Sequence, residues 1–360
     1  MRPDPLAAPL AAVIADDLTG ALDSVVPFAD AGLRCVVATA PAHLAQALGQ
    51  GAQVIAVSTG SRDLPAGQAA KVAAEVAQAL RGVPVMFKKV DSRMKGNIAA
   101  EVAAIAQVLG LRAVMICPAI PQMGRVVMGG LLQGFGVAAP MAVAGSVVGL
   151  GLRVVAPDAT SDGDIDRILA AVAPGTLLVG ARGLSAGLAR RMGQGQSVGV
   201  GATVRLPLPR PIVFVIGSRD PITLAQVAHL RAGQPGAAFV TAPNGAAGAL
   251  PLSDMLIVQA TGGDGVAPSA VVTAALAASL VGLTSPRACL VLTGGETAAA
   301  VLAALGIGVL EVVGEALPGL PMCRALGRAD GPLIVTKSGG FGDPDTLSLL
   351  VDPFRSEAVR

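Results

Sequence analysis

Residues 11–38 read AAVIADDLTGALDSVVPFADAGLRCVVA. Ala11–Ala15 is a run of small apolar residues that reads as a strand. Asp16-Asp17-Leu18-Thr19-Gly20 interrupts it, Gly20–Ala31 reads as a helix, and Arg34–Ala38 is strand-like again. Strand, helix, strand in one short stretch is the unit of a parallel sheet. The alternation continues downstream. Gln53–Val57, Val85–Val90 and Ala113–Pro118 read as strands, and Ala66–Arg81 and Asn97–Leu109 as helices. In such sheets ligands bind beyond the carboxyl ends of the strands, so the loops that follow strands carry the functional reading.

The bulk composition agrees with a folded α/β chain. Of 360 residues, 53% are hydrophobic and 14% charged, enough apolar surface to offset chain entropy. With seven Phe, no Trp and no Tyr, the core must be built from Ala, Val, Leu and Ile. That suits buried parallel strands covered by Ala-rich helices. The net charge of +2 and the absence of a basic run exclude nucleic acid as a partner. Cys35, Cys117, Cys289 and Cys323 are scattered, without a CxxC pair, and His43 and His229 are the only histidines. Reduced structural thiols fit this pattern and a zinc site does not, so no metal-ligating residues are assigned. Val126–Leu152 is uncharged and long enough to span a bilayer, but its seven glycines and Pro140 favour strands and turns in a soluble protein. No secretory signal precedes the first strand, and a cytoplasmic location is expected. The high apolar content is compatible with a homodimer.

Leu206-Pro207-Leu208-Pro209-Arg210-Pro211 cannot continue a helix or a central strand and reads as a linker. A second alternating series follows it. Its strands are Ile212–Ile216, Ala238–Ala242, Met255–Gln259, Ala288–Thr293, Leu310–Val313 and Leu333–Thr336. Its helices are Ile222–Leu230, Ser269–Leu280 and Glu296–Leu305. The fold class is α/β: two domains with mostly parallel sheets, residues 1–206 and 212–360, and an interdomain cleft.

In the first domain four loops could carry chemistry. Asp16 and Asp17 end the first strand, where paired acids can orient a hydroxyl or accept its proton. Asp17 or Thr19 also reads as a helix cap. Arg62, in Ser58-Thr59-Gly60-Ser61-Arg62-Asp63, could fork onto a carboxylate or sit in a surface turn. Lys88–Asn97 packs four cations and one acid into ten positions of a chain otherwise sparse in charge. Alternation points Lys89 and Asp91 the same way there, with Lys89 and Lys95 able to bind an anion and Asp91 able to orient a hydroxyl. Arg125, after Pro118, is a further anion contact or a turn residue.

The second domain has three glycine-bearing loops. They are Ile216-Gly217-Ser218-Arg219-Asp220-Pro221, Thr293-Gly294-Gly295-Glu296-Thr297 and Thr336-Lys337-Ser338-Gly339-Gly340-Phe341-Gly342-Asp343. Glycines let backbone N–H groups approach phosphate, and helix N-termini favour negative charge. Glu296 or Thr297 also reads as a cap of the following helix. No GxxxxGK[ST], GxGxxG or GxSxG string occupies a fitting position. The absence excludes a Walker loop, a dinucleotide fingerprint and a serine-hydrolase elbow.

Five strings in order resemble the four-carbon acid sugar kinase family: IADDLTGALD (14–23), FKKVDSRMKGN (87–97), CPAIPQMGR (117–125), VLTGGETAAAVLAALGI (291–307) and VTKSGGFGDPDTL (335–347). The resemblance implies a sugar-acid-binding N-terminal domain and a nucleotide-binding C-terminal domain. It implies phosphorylation of threonate, erythronate or 3-oxo-tetronate with ATP and Mg2+. Carried over by motif, Asp16, Asp17, Arg62, Lys89, Asp91, Ser92, Lys95 and Arg125 fall on the substrate side. Ser218, Gly294, Gly295, Glu296, Thr297, Gly339, Gly340 and Asp343 fall on the nucleotide side. Two positions depart from the family's usual pattern. Lys95 stands where an arginine is usual and loses the bidentate fork, and Glu296 stands for an aspartate. Asp17 and Asp91 remain rivals for the catalytic base, with Asp343 behind them. A diverged, non-catalytic sugar-acid or nucleotide-binding protein of the same fold is the alternative.

Overall fold

The computed structural model describes residues 8–193, 208–282, 289–327 and 331–352. The chain divides into two compact units, Met1–Gly201 and Ala202–Arg360.

The main-sheet strands of the first unit are β1 (Ala11–Ala15), β2 (Cys35–Ala38), β3 (Val54–Ser58), β4 (Val85–Lys89), β5 (Ala113–Cys117), β9 (Arg153–Val155) and β10 (Thr176–Gly180). They lie in the order β2-β3-β1-β4-β10-β5-β9, and every pairing is parallel. β1, β2, β3 and β5 are buried at every position, which is why their sequences are continuous apolar runs without alternation. The helices are α1 (Leu18–Asp30), α2 (Leu44–Leu48), α3 (Ala66–Ala79), α4 (Ile98–Leu109), α5 (Asp162–Ala170) and α6 (Arg182–Gly193). β6 (Arg125–Met128), β7 (Leu131–Gly134) and β8 (Met141–Ala142) form a separate small antiparallel sheet. This sheet occupies the uncharged stretch 126–152, where glycine turns break the apolar run. No helix among the described residues is long and apolar enough to cross a membrane.

The second unit has β11 (Ile212–Ile216), β12 (Ala238–Pro243), β13 (Met255–Thr261), β14 (Cys289–Thr293), β15 (Val309–Leu317), β16 (Leu320–Ala325) and β17 (Leu333–Lys337). Their order is β12-β13-β11-β14-β17-β16-β15. β16 runs antiparallel to both of its neighbours. Sequence periodicity places one short strand at 310–313. The structure instead has a nine-residue β15 and an additional β16. Its helices are α7 (Pro221–Gly233), α8 (Ser269–Leu280), α9 (Gly295–Ala304) and α10 (Thr346–Leu349). Of the proline-rich linker, Leu206 and Pro207 lie outside the described residues. Leu208 is packed into this unit's core beside Ile212, Phe214 and Leu350. All four cysteines are buried free thiols. Burial pushes Cys117 up to about 11 and Cys289 up to about 12, so both stay protonated and unreactive.

Candidate functional site

Sheet register aligns the loops of each unit. Ala15 at the end of β1 pairs with Ser58 at the end of β3 and with Lys89 at the end of β4. The loops that follow therefore emerge side by side. β1 and β4 also flank the point where the strand order reverses, the place at which open α/β sheets bind ligands. The second unit repeats the arrangement. Ile216 of β11 pairs with Thr293 of β14, which pairs with Lys337 of β17, and the order reverses between β11 and β14.

In the first unit Arg62 is the organising side chain. Its Nε and Nη2 donate to the two oxygens of Asp16, both at 2.9 Å, and Nη1 donates to Asp17 Oδ2 at 2.8 Å. Nη1 also lies 3.9 Å from Asp91 Oδ2. Asp17 is the N-cap of α1: Oδ1 accepts the Gly20 N–H at 2.8 Å, and Oδ2 accepts the Thr19 hydroxyl at 2.8 Å. The cap and the ion-pair partner are thus the same residue. Asp91 Oδ1 accepts the Arg93 N–H at 2.8 Å, which folds the loop back on itself. Gly96 has φ +90°, and a Cβ there would sit 3.1 Å from Asp16 Oδ2, so only glycine lets this loop close over the acids. Lys89 is buried, with Nζ donating to Val90 O at 2.8 Å. Arg125 is buried at the start of β6. Its Nη1 donates to Ser92 Oγ at 2.5 Å, and Nε and Nη2 hold Phe135 O. Lys95 is exposed. The structure therefore brings Asp16, Asp17, Arg62 and Asp91 together, joins Arg125 to Ser92, and leaves Lys95 at the rim.

Burial raises the affinity of the Asp16 carboxyl for a proton, but the charge of Lys88 and the Arg62 fork outweigh it. Its pKa falls below the usual carboxylate range. A lowered folded-state pKa contributes stability that is present above the unfolded value near 3.8 and is lost as pH falls through the folded value. The thermal midpoint of the wild type should therefore drop on acidification below about pH 4. Asp16→Asn should lose part of that dependence. An identical acid profile in both proteins would contradict this assignment.

Beneath the cluster lies a buried polar network that sequence reading missed. Lys88 Nζ is 2.9 Å from Glu101 Oε2, with side-chain exposures of 0% and 1%, as an ion pair lying off the line of a directed hydrogen bond. Glu101 also accepts the Ser61 hydroxyl, Ser61 and Thr59 share a 2.6 Å bond, and Thr59 donates to Ala15 O. Asn97 Nδ2 donates to the backbone oxygens of Ser61, Arg62 and Leu64. A sequence signal existed: Glu101 is the one charged residue in the stretch 98–109 that forms α4.

In the second unit the three glycine loops meet at the carboxyl ends of β11, β14 and β17. Gly294 N–H donates to Lys337 O at 2.8 Å, tying the second loop to the third. A Cβ on Gly339 would collide with Ser218 Oγ, so the first and third loops also touch. Gln226 of α7 donates to Phe341 O and Asp343 O. Gly294 is the N-cap of α9 and carries no side-chain cap bond. Neither Glu296 nor Thr297 caps the helix. Glu296 is exposed and accepts the Ser269 hydroxyl at 2.6 Å, whereas Thr297 is buried. The first turn of α9 therefore keeps its backbone N–H groups without a side-chain cap. Asp343 is exposed at the end of its loop. Lys337 is part of the third glycine loop as read from sequence but was given no role there, although it is the one charged residue of LIVTK. It is fully buried, and burial pushes its ammonium down to about 8 against the opposing pull of Asp220.

Residues 11–141 match a sugar-binding N-terminal domain and residues 251–347 a nucleotide-binding C-terminal domain. The chain is 32% identical to a D-threonate kinase of Bordetella bronchiseptica over 94% of this chain and 96% of that protein. The chain belongs to the four-carbon acid sugar kinase family. Another relative in this family is a 3-oxo-tetronate kinase of Methylobacterium radiotolerans, 29% identical over 94% of this chain and 98% of that protein. Two solved structures share the fold. A Haemophilus influenzae protein has a TM-score of 0.69 at 22% identity, covering 95% of this chain and 100% of its own. A Salmonella typhimurium protein has a TM-score of 0.74 at 21% identity, covering 96% and 99%. The two matches fall one on each unit; the first spans the charged loops, and the second spans the Gly294 and Ser338 loops but begins after the Ser218 loop.

Proposed function

We propose that this chain is an ATP-dependent kinase that phosphorylates a hydroxyl of a four-carbon sugar acid of the threonate, erythronate or 3-oxo-tetronate type. The whole-length match to D-threonate kinase carries this reading. The loop chemistry of each unit supports it: charged side chains gather in the first and glycine-bearing backbone in the second.

The sugar acid binds in the first unit. Arg62 has five N–H donors, and three of them already hold Asp16 and Asp17, leaving two for a ligand oxygen. Lys89 and Arg125 add buried positive charge for the carboxylate, and Lys95 adds it from the rim. Asp91 accepts the proton of the attacking hydroxyl. Its Oδ2 has its nearest ionic contact only at 3.9 Å, whereas both Asp17 oxygens already accept hydrogen bonds at 2.8 Å. Asp17 holds Arg62 in place and caps α1.

ATP binds in the second unit. Ser218, Gly294, Gly295, Thr297, Gly339 and Gly340 surround its phosphates, and the loops pack so closely that a side chain at Gly339 would strike Ser218 and one at Gly340 would strike Asp220. Glu296 and Asp343 stand at the exposed edge. Among the described residues no three His, Cys, Asp or Glu side chains form a metal cage. The donor set fits Mg2+ entering on the nucleotide, held chiefly by phosphate oxygens and water. When bound, Mg2+ neutralises charge on the transferred phosphate. The protein's own work is then positioning the hydroxyl and the phosphate in line. A cytoplasmic location accords with ATP as the donor.

A coupled ATP-consumption assay with the stereoisomers of threonate, erythronate and 3-oxo-tetronate tests the reading. Turnover with at least one acid, dependent on Mg2+, is expected. Tight binding of the acids without turnover of any would replace the kinase with a sensor.

A further inference from the structure

β17 is uncharged until its last residue, and that residue is a lysine with 0% exposure. The Lys337 ammonium donates to Ser338 O at 2.8 Å, to Gly339 O at 3.0 Å and to Thr223 Oγ1 at 3.3 Å. Thr223 in turn donates its hydroxyl to Gly339 O at 2.6 Å. Two consecutive carbonyl groups of the loop are thus drawn inward onto one buried cation.

Peptide planarity fixes what happens on the other side. In a trans peptide the N–H points opposite to the C=O of the same unit. The carbonyls of Ser338 and Gly339 point inward, so the N–H groups of Gly339 and Gly340 point outward. Ser338 and Gly340 are exposed, so these donors face solvent on the side of the loop that meets Ser218 and Asp220. Successive outward N–H groups form a concavity for an anion. The three acceptors bound by Lys337 are all neutral oxygens, so no hydrogen-bonded carboxylate cancels its charge. Asp220, the N-cap of α7, is the acid whose field reaches it. A positive charge directly beneath outward N–H groups reinforces their attraction for phosphate.

We infer that Lys337 is the positioning residue of the nucleotide loop, holding the carbonyls of Ser338 and Gly339 inward so that the Gly339 and Gly340 N–H groups face the phosphates of ATP. This rests on the reading of the second unit as the ATP site.

The test compares wild type, Lys337→Met and Thr223→Val by calorimetric titration with Mg-ATP and with adenosine, alongside KM values for ATP and for the sugar acid. Lys337→Met should weaken Mg-ATP about 10-fold or more, the usual worth of a charge-assisted bond. Adenosine binding and the sugar-acid KM should stay within about 2-fold, since neither touches the loop's phosphate donors. Unchanged Mg-ATP affinity in Lys337→Met, or an equal loss for adenosine, overturns the inference. If circular dichroism shows that Lys337→Met does not fold, Thr223→Val decides. It should weaken Mg-ATP about 3-fold selectively, as one neutral hydrogen bond to the loop is lost, and wild-type affinity overturns the inference. Failure of the wild type itself to bind Mg-ATP would overturn the ATP reading, and the inference with it. Wild-type binding with an insensitive variant overturns the inference alone.

Discussion

Glu101→Ala is expected to lower the unfolding free energy by about 3–5 kcal/mol, the cost of leaving one partner of a buried ion pair alone. Lys88 and Glu101 are as deeply buried as the surrounding aliphatic residues, and their charged atoms are 2.9 Å apart. Without the carboxylate, the buried ammonium loses its direct partner. Ser61 also loses its acceptor, and Ser61 directly precedes Arg62. Urea unfolding followed by far-ultraviolet circular dichroism measures the effect, as the chain has no Trp or Tyr for fluorescence. The double replacement Lys88→Met with Glu101→Leu should recover most of the stability, because apolar residues of similar volume often replace a buried pair without loss. Kinase activity should stay impaired in the double variant, since the bond that fixes Ser61 is absent. A loss below about 1 kcal/mol in Glu101→Ala would mean the pair is solvated in solution, as exposed pairs are.

The second large effect is kinetic. Asp91→Asn is expected to reduce kcat by about 10²–10⁴, the range for loss of a general base. The KM for the sugar acid should change little, because the side chain keeps its shape and its Oδ1 bond to the Arg93 N–H. Asp17→Asn should behave differently. Asparagine caps helices as well as aspartate, so α1 should remain intact. Loss of the charge facing Arg62 Nη1 should loosen that arm of a guanidinium still forked on Asp16, and raise the sugar-acid KM more than it lowers kcat. Steady-state kinetics on the acid that gives the best turnover separates the two. The reverse pattern would move the base to Asp17.

The division of labour between acids is a case where sequence reading stops short. Asp16, Asp17 and Asp91 were legible as candidates because charge is scarce in this chain and these residues end apolar strands. Their roles were not legible. Arg62 lies 46 residues from Asp16, and only the parallel pairing of β1 with β3 brings it within reach. Read alone, Arg62 suggests either a surface turn or a carboxylate clamp for the substrate. In the fold, most of its donors are committed to the protein's own acids. Similarly, Glu296 reads as a helix cap by spacing, but Gly294 takes the cap position and Glu296 bonds to Ser269 on α8.

The sequence by itself determined the α/β class, the loops that carry chemistry and the contrast between a charged first unit and a glycine-bearing second one. Those properties are local: strand runs, helix runs and punctuation at strand ends. Only the tertiary structure decided how the Asp16-Asp17 loop works. The loop proved to be one corner of a network in which Arg62 bridges two acids above a buried Lys88–Glu101 pair. Lys337 in the second unit is likewise hidden from composition and spacing. A lysine at a strand end reads as a surface residue until the packing shows which oxygens surround it. The physical reason is the same in both units. Burial and hydrogen-bond partners are set by strand register and helix packing, and these join residues far apart in the chain.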